Sequence, residues 1–137
     1  MRLARVGHET VHGFILTSNY TGERRTVPQL SVNEAYERTA GEILQFVDVR
    51  RDAEHDAGHA LRTVNIPLNK IGSDFEQLDP SLPTYVICEG GYRSSIGTSI
   101  LENAGFTELY NVTGGTSAWK AAGLPIESSE AACAVTK

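Results

Sequence analysis

At 137 residues, 40% of them hydrophobic, the chain is long enough for one domain with a real core and too short for two. Its 21% of charged residues is that of a folded globular protein, not a disordered one. A formal net charge of -5, with Arg24-Arg25 and Arg50-Arg51 as the only adjacent basic pairs, excludes a nucleic-acid surface; any anion site has to be built locally from backbone amides and one or two cations.

Taken in chain order, Leu3 to Ile15 lie without a gap on Leu101 to Thr113: Leu3 falls on Leu101, Gly7 on Gly105 and Val11 on Leu109. They echo the end of a helix and the strand after it. The early apolar stretch from Val11 to Leu16 is broken by His12 and Gly13 and is far too short for a signal core or a membrane span. The chain therefore reads as soluble and cytoplasmic, with no membrane partner. Thr17 to Pro28 is polar and reads as a linker, which makes 1–29 an N-terminal segment.

A helix is predicted from Ser31 to Arg38, where Ser31 and Glu34 form a capping box. Ile43 to Val49, apolar and rich in β-branched residues, reads as a buried parallel strand. Asp52 to Ala57 and Phe75 to Leu78 read as single helical turns. Thr84 to Ile87 is a second strand, introduced by Pro83 and ending at Cys88. Arg93 to Asn103 follows as a helix with Ile96, Ile100 and Leu101 on one face and Gly105 as its stop. Glu108 to Val112 is a third strand, and Gly115 to Ala122 a last helix in which Trp119 reads as core. The fold class is α/β, a parallel sheet covered on both faces. It occupies 30–127, and 128–137 is a tail of small residues.

Two cysteines, Cys88 and Cys133, read as free thiols, since a single bridge is a poor disulfide framework in a chain without an export signal. Cys133 in the tail reads as incidental. His55 and His59 have i, i+4 spacing, but Gly58 interrupts the helix they would need, and His8 and His12 add no ligand pattern, so no metal is expected.

The chemistry concentrates at Cys88. It stands at the carboxyl end of a buried strand, before a loop and a helix, where open α/β sheets place their ligands. From Cys88 through Glu89, Gly90, Gly91 and Tyr92 to Arg93 the chain can curl so that successive amides point inward, beside the positive end of the helix dipole. Such a nest favours a thiolate, helped by the Arg93 cation and opposed by the Glu89 charge unless Glu89 points away. On spacing alone, a small buried hydrophobe is an equally good reading of Cys88. The polarity of Glu89 to Ser94 tips the balance toward a reactive thiol. Asp48 and Arg50, at the end of the first strand, read as a pair that braces the loop through each other or through Arg93.

The stretch from Leu30 to Glu127 resembles the rhodanese-like domain family. The likeness runs through Phe46-Val-Asp48-Val-Arg50, Gly58-His59, Val64-Asn-Ile-Pro67, Cys88-Glu-Gly-Gly91-Tyr-Arg93-Ser94, Ala104-Gly105-Phe106, Asn111-Val-Thr-Gly114-Gly115 and Ala118-Trp119 to Pro125. The resemblance implies a five-stranded parallel sheet with helices on both faces and a sulfurtransferase. Cys88 would take a sulfane sulfur from thiosulfate or a low-molecular-weight persulfide and pass it to a thiol, to cyanide or to a protein acceptor, with no metal or organic cofactor. Glu89 to Ser94 would form the substrate-binding loop, supported by Asp48 and Arg50. Related phosphatases carry a Cys-x5-Arg loop; the four residues between Cys88 and Arg93 fit sulfur better.

Two other function classes stay open beside the enzyme: a persulfide carrier or redox sensor that docks to a partner protein, and a catalytically silent module. Intact Cys88 and Arg93 count against the last. The loop wording and Arg2 to Gly7 further resemble the C-terminal rhodanese part of proteins that fuse a metallo-β-lactamase-type domain to rhodanese-like domains, with 1–15 as the remnant of a preceding module. Two departures stand out. Where the family commonly reads Gly-His-Ile-Pro-Gly-Ala, this chain has Gly58-His59-Ala60-Leu61-Arg62-Thr63. Glu89 replaces a basic or neutral side chain, which favours an alkyl persulfide over dianionic thiosulfate as donor and predicts that Glu89→Lys raises thiosulfate turnover.

Overall fold

The computed structural model describes residues 16–23 and 26–128. The N-terminal echo at 1–15, with its link to fusion proteins, and Cys133 lie outside the described residues. Among the described residues no helix is long and apolar enough to cross a membrane.

The elements run β1 (Gln29–Leu30), α1 (Val32–Gly41), β2 (Gln45–Asp48), α2 (Asp52–Asp56), β3 (His59–Ala60), β4 (Val64–Asn65), α3 (Ile71–Asp74), β5 (Thr84–Ile87), α4 (Tyr92–Asn103), β6 (Leu109–Val112), α5 (Gly115–Ala121) and β7 (Ile126–Glu127). Five strands form one parallel sheet in the order β1-β6-β5-β2-β4, and β3 pairs with β7 antiparallel beside it. This is the α/β sheet expected from the sequence.

Central β5 is buried at every position, as a parallel strand covered on both faces must be. Its side chains alternate. Tyr85 and Ile87 join Leu30, Ala35, Phe46, Val112 and Trp119 in the core beneath α1 and α5. Val86 and Cys88 join Val47, Val49, Ile71 and Leu101 in the core beneath α3 and α4. Cys88 therefore continues the α4 face of the strand. Trp119 is fully buried, as expected, and its indole N–H donates to the Pro125 carbonyl at 2.8 Å.

Three features differ from the sequence expectation. β2 is shorter than the strand predicted from Ile43 to Val49, because Ile43 lies 83% exposed and pairing starts at Gln45, whose side-chain amide bonds Thr84 and Asp79. The buried face of α4 is Ser94, Gly97, Thr98 and Leu101; Ile100 is half-buried and Ile96 is 38% exposed. Small side chains there let the helix lie close to the sheet: a Cβ on Gly97 would stand 3.3 Å from Val49 and 3.4 Å from Val86.

The third feature is the turn before β4. Arg62 stands where the family pattern has glycine and adopts a left-handed φ of 66°. Its guanidinium donates to the Thr39 carbonyl at 2.8 Å and its backbone N–H to Glu127 at 3.0 Å. These two bonds hold a residue in a conformation that costs a side-chain-bearing residue about 1 kcal/mol.

Candidate active site

β2 and β5 run in register, with Asp48 opposite Ile87, so the ends of both strands meet at the carboxyl edge of the sheet. The chain leaves β5 at Cys88 and turns into α4 through Gly91, whose φ of 98° only glycine adopts cheaply. Cys88 is buried. Its Sγ accepts the Gly91 N–H at 3.1 Å and lies 3.3 Å from Ser94 Oγ, one turn into the helix. Gly90 is exposed and Tyr92 is 86% exposed. The twelve-residue α4 thus points its amino end, the positive end of its dipole, at the sulfur.

The loop rests on the start of α5. Thr116 N–H donates to the Cys88 carbonyl at 2.8 Å and Ser117 N–H to the Glu89 carbonyl at 3.1 Å. Gly115, with φ of 57°, makes this approach feasible, since a Cβ there would overlap the Cys88 carbonyl oxygen. The paired glycines before an amphipathic run were the available sequence signal for this support; their contact with the loop was not anticipated.

Asp48 and Arg50 come together as expected, joined at 2.7 and 2.9 Å, both buried. They do not reach Arg93. Arg50 spans instead to the Gly58 carbonyl at 3.0 Å and to Glu89 at 3.3 Å, and Ser117 Oγ donates to the other Glu89 oxygen at 2.7 Å. Burial works to lower the Arg50 pKa, but the Asp48 carboxylate outweighs it and holds the guanidinium above its ordinary value.

Arg93 is engaged by Glu54 of α2 through two bonds of 2.8 Å. The sequence reading had not placed Glu54 at the site. The Arg93 guanidinium holds the Glu54 carboxyl down to about 2 against the opposing effect of burial. Such fork-to-carboxylate pairing fixes orientation as well as charge.

His55 and His59 stack at 3.5 Å with rings nearly parallel. His59 Nδ1 is 2.8 Å from the His55 carbonyl, and His55 Nε2 is 3.3 Å from Thr63 Oγ1. Among the described residues no group of three or more metal-ligating side chains gathers. A cavity of about 440 Å³ opens at the end of the loop, lined there by Arg93 and its α2 partner Glu54. A second, of about 540 Å³ around Phe106 and Tyr110, lies at the amino-terminal end of β6, away from Cys88.

The sequence pattern described as Rhodanese-like domain matches residues 31–122. Thiosulfate sulfurtransferase GlpE of Vibrio cholerae is 32% identical over 100 residues, which cover 73% of this chain and 94% of that protein. The chloroplastic thiosulfate sulfurtransferase 16 of Arabidopsis thaliana is 33% identical over 122 residues, covering 77% of this chain and 98% of that protein. Among solved structures, a rhodanese-like domain protein from Staphylococcus aureus superposes with a TM-score of 0.66 at 30% identity, over 74% of this chain and all (100%) of that one. A rhodanese-like domain from Anabaena gives a TM-score of 0.69 at 26% identity, over 75% of this chain and 80% of that one.

Proposed function

The chain belongs to the rhodanese-like domain family, and from that premise we propose that it is a sulfurtransferase working through a Cys88 persulfide. The observation that carries the reading is the seat of Cys88 Sγ: at the end of β5, accepting the Gly91 N–H, at the amino end of α4. A thiolate there is the nucleophile that sulfur transfer requires.

The chemistry has two displacements. The Cys88 thiolate attacks the outer sulfur of the donor; the new S–S bond forms as the donor's own S–S bond breaks. Sulfite leaves if the donor is thiosulfate, and a thiolate leaves if it is an organic persulfide. An acceptor thiolate or cyanide then attacks the outer sulfur of the Cys88 persulfide, takes it, and returns Cys88 as thiolate. The loop from Glu89 to Ser94 seats the sulfur through the Gly91 N–H and Ser94 Oγ, Glu54 orients Arg93 at its end, and Asp48 and Arg50 keep the loop in shape through Glu89. No cofactor enters the cycle. The folded unit in this reading is 30–127, with 1–29 and 128–137 as flanking segments.

A second reading, a persulfide carrier that docks to a partner protein, draws on Tyr92, an aromatic 86% exposed beside the thiol. Incubation with thiosulfate and, separately, with glutathione persulfide, followed by intact mass, separates the readings. A one-sulfur adduct that Cys88→Ser abolishes, with many turnovers to a small thiol, is the expected result. An adduct discharged only by a protein acceptor favours the carrier, and no adduct from either donor sinks both.

A further inference from the structure

The cavity beside the loop is walled by Val49, Leu68, Ile96 and Ile100, with Arg51 and the Arg93–Glu54 pair at its rim. Tyr92, Ile96 and Ile100 recur at i, i+4 and i+8 on α4, so one stripe leads from the sulfur loop along the cavity wall. Val49 is already buried, but Leu68, Ile96 and Ile100 are partly open to water, and a ligand that covers them gains the free energy of burial. Thiosulfate, a small dianion with no hydrocarbon surface, gains nothing from such walls.

Charge narrows the fit further. Arg50 is committed to Asp48 and Glu89, and Arg93 to Glu54. Arg51 at the rim is exposed, and its guanidinium has no ion-pair or hydrogen-bond partner among the described residues. About 440 Å³ is the size of a small organic ligand's site. An aliphatic segment with an anionic end satisfies the walls and the free cation together.

We propose that this cleft binds the organic part of a low-molecular-weight persulfide or thiol, an aliphatic segment lying on Leu68 and Ile96 and a carboxylate paired with Arg51. The proposal rests on the sulfurtransferase reading and narrows its substrate class. The Cys88 thiolate takes the outer sulfur of the bound persulfide, and the organic thiolate, released as the S–S bond breaks, leaves along the same wall.

Two measurements on the full chain test it. In the first, ω-methylsulfanyl hexanoate, a thioether with no sulfur to transfer, is titrated while backbone amide shifts are followed. Shifts at Leu68, Ile96 and Ile100 are expected, with about fivefold weaker binding in Arg51→Gln and for the neutral methyl ester; no shifts there, or equal binding by Arg51→Gln, overturns the proposal. In the second, kcat/KM is measured for ω-persulfido hexanoate and for thiosulfate. The ratio of the two is expected to fall about tenfold in Ile96→Asn and in Arg51→Gln. Sulfur adducts on Cys88 with an unchanged ratio overturn the cleft assignment alone, whereas no adduct from either donor overturns the sulfurtransferase reading and this proposal with it.

Discussion

Arg50, buried on Asp48, reaches out of the sheet to hold Glu89, the residue next to Cys88, at 3.3 Å. The Glu89 side chain is also bonded to Ser117, so both of its oxygens are engaged by α5 and β2 neighbours. The expectation that Glu89→Lys raises thiosulfate turnover assumed a carboxylate facing the donor. With Glu89 tied to Arg50, a lysine there sets cation against buried cation and releases Ser117. Turnover with thiosulfate and with organic persulfides alike is expected to fall at least tenfold in Glu89→Lys, and stability by about 1 kcal/mol, the modest value of a half-exposed pair. Glu89→Gln, whose amide oxygen can still accept from Arg50 while its NH2 group donates to Ser117 Oγ, should lose less; a rise in thiosulfate turnover in the lysine variant would restore the original reading.

Gly115→Ala is expected to be among the most damaging single changes outside the loop itself. The added methyl meets the Cys88 carbonyl while the residue keeps a φ of 57°, so the loop has to move or α5 has to unwind. Loss of more than about 2 kcal/mol in chemical denaturation and of most persulfide formation is expected. Near-normal activity would mean that the α5 amides do not set the loop.

Acid should act on the protein in two separate pH windows. His55 titrates below its ordinary 6.5 because burial, and then the stacked His59, disfavour its charged form, with Arg50 adding to and Asp48 opposing the effect. The unfolded chain therefore takes up this proton first, and stability falls as the pH drops below about 6.5. Glu54, held down to about 2 by Arg93, contributes stability that is present above its unfolded value of 4.5 and lost as pH falls through that lower range. Melting temperatures followed from about pH 8 to about pH 2, spanning both windows, should show the upper slope reduced in His55→Phe and the lower slope reduced in Glu54→Gln. Unaltered slopes in either variant would remove the corresponding assignment.

How much of this was legible in the sequence follows from the range of each interaction. β5, α4 and the loop between them announce themselves locally, through Pro83, an apolar run and Gly90-Gly91, and the Ser31–Glu34 capping box forms as read. The partner of Arg93 was not legible, because Glu54 lies 39 residues away and only the packing of α2 brings it there. The same holds for Ser117, 28 residues from Glu89. The inner face of α4 was misread for another reason: burial there is decided by how closely Gly97 lets the helix approach Val49 and Val86, not by which residues are most hydrophobic. Two-residue strands such as β3 and β7 are too short to show any periodicity.

Arg62 gives the cleanest stability prediction, because its two contributions separate. Arg62→Ala and Arg62→Gly both lose the guanidinium bond to the Thr39 carbonyl, and both keep the backbone N–H bond to Glu127. They differ in the cost of holding φ at 66°, which a Cβ makes unfavourable and glycine tolerates. Glycine gives back part of that gain through the greater freedom of its unfolded chain. Arg62→Gly should therefore unfold at higher denaturant than Arg62→Ala, by about 0.5–1 kcal/mol at equal m-value. If alanine proves the more stable of the two, the turn before β4 does not hold residue 62 in the left-handed conformation in solution.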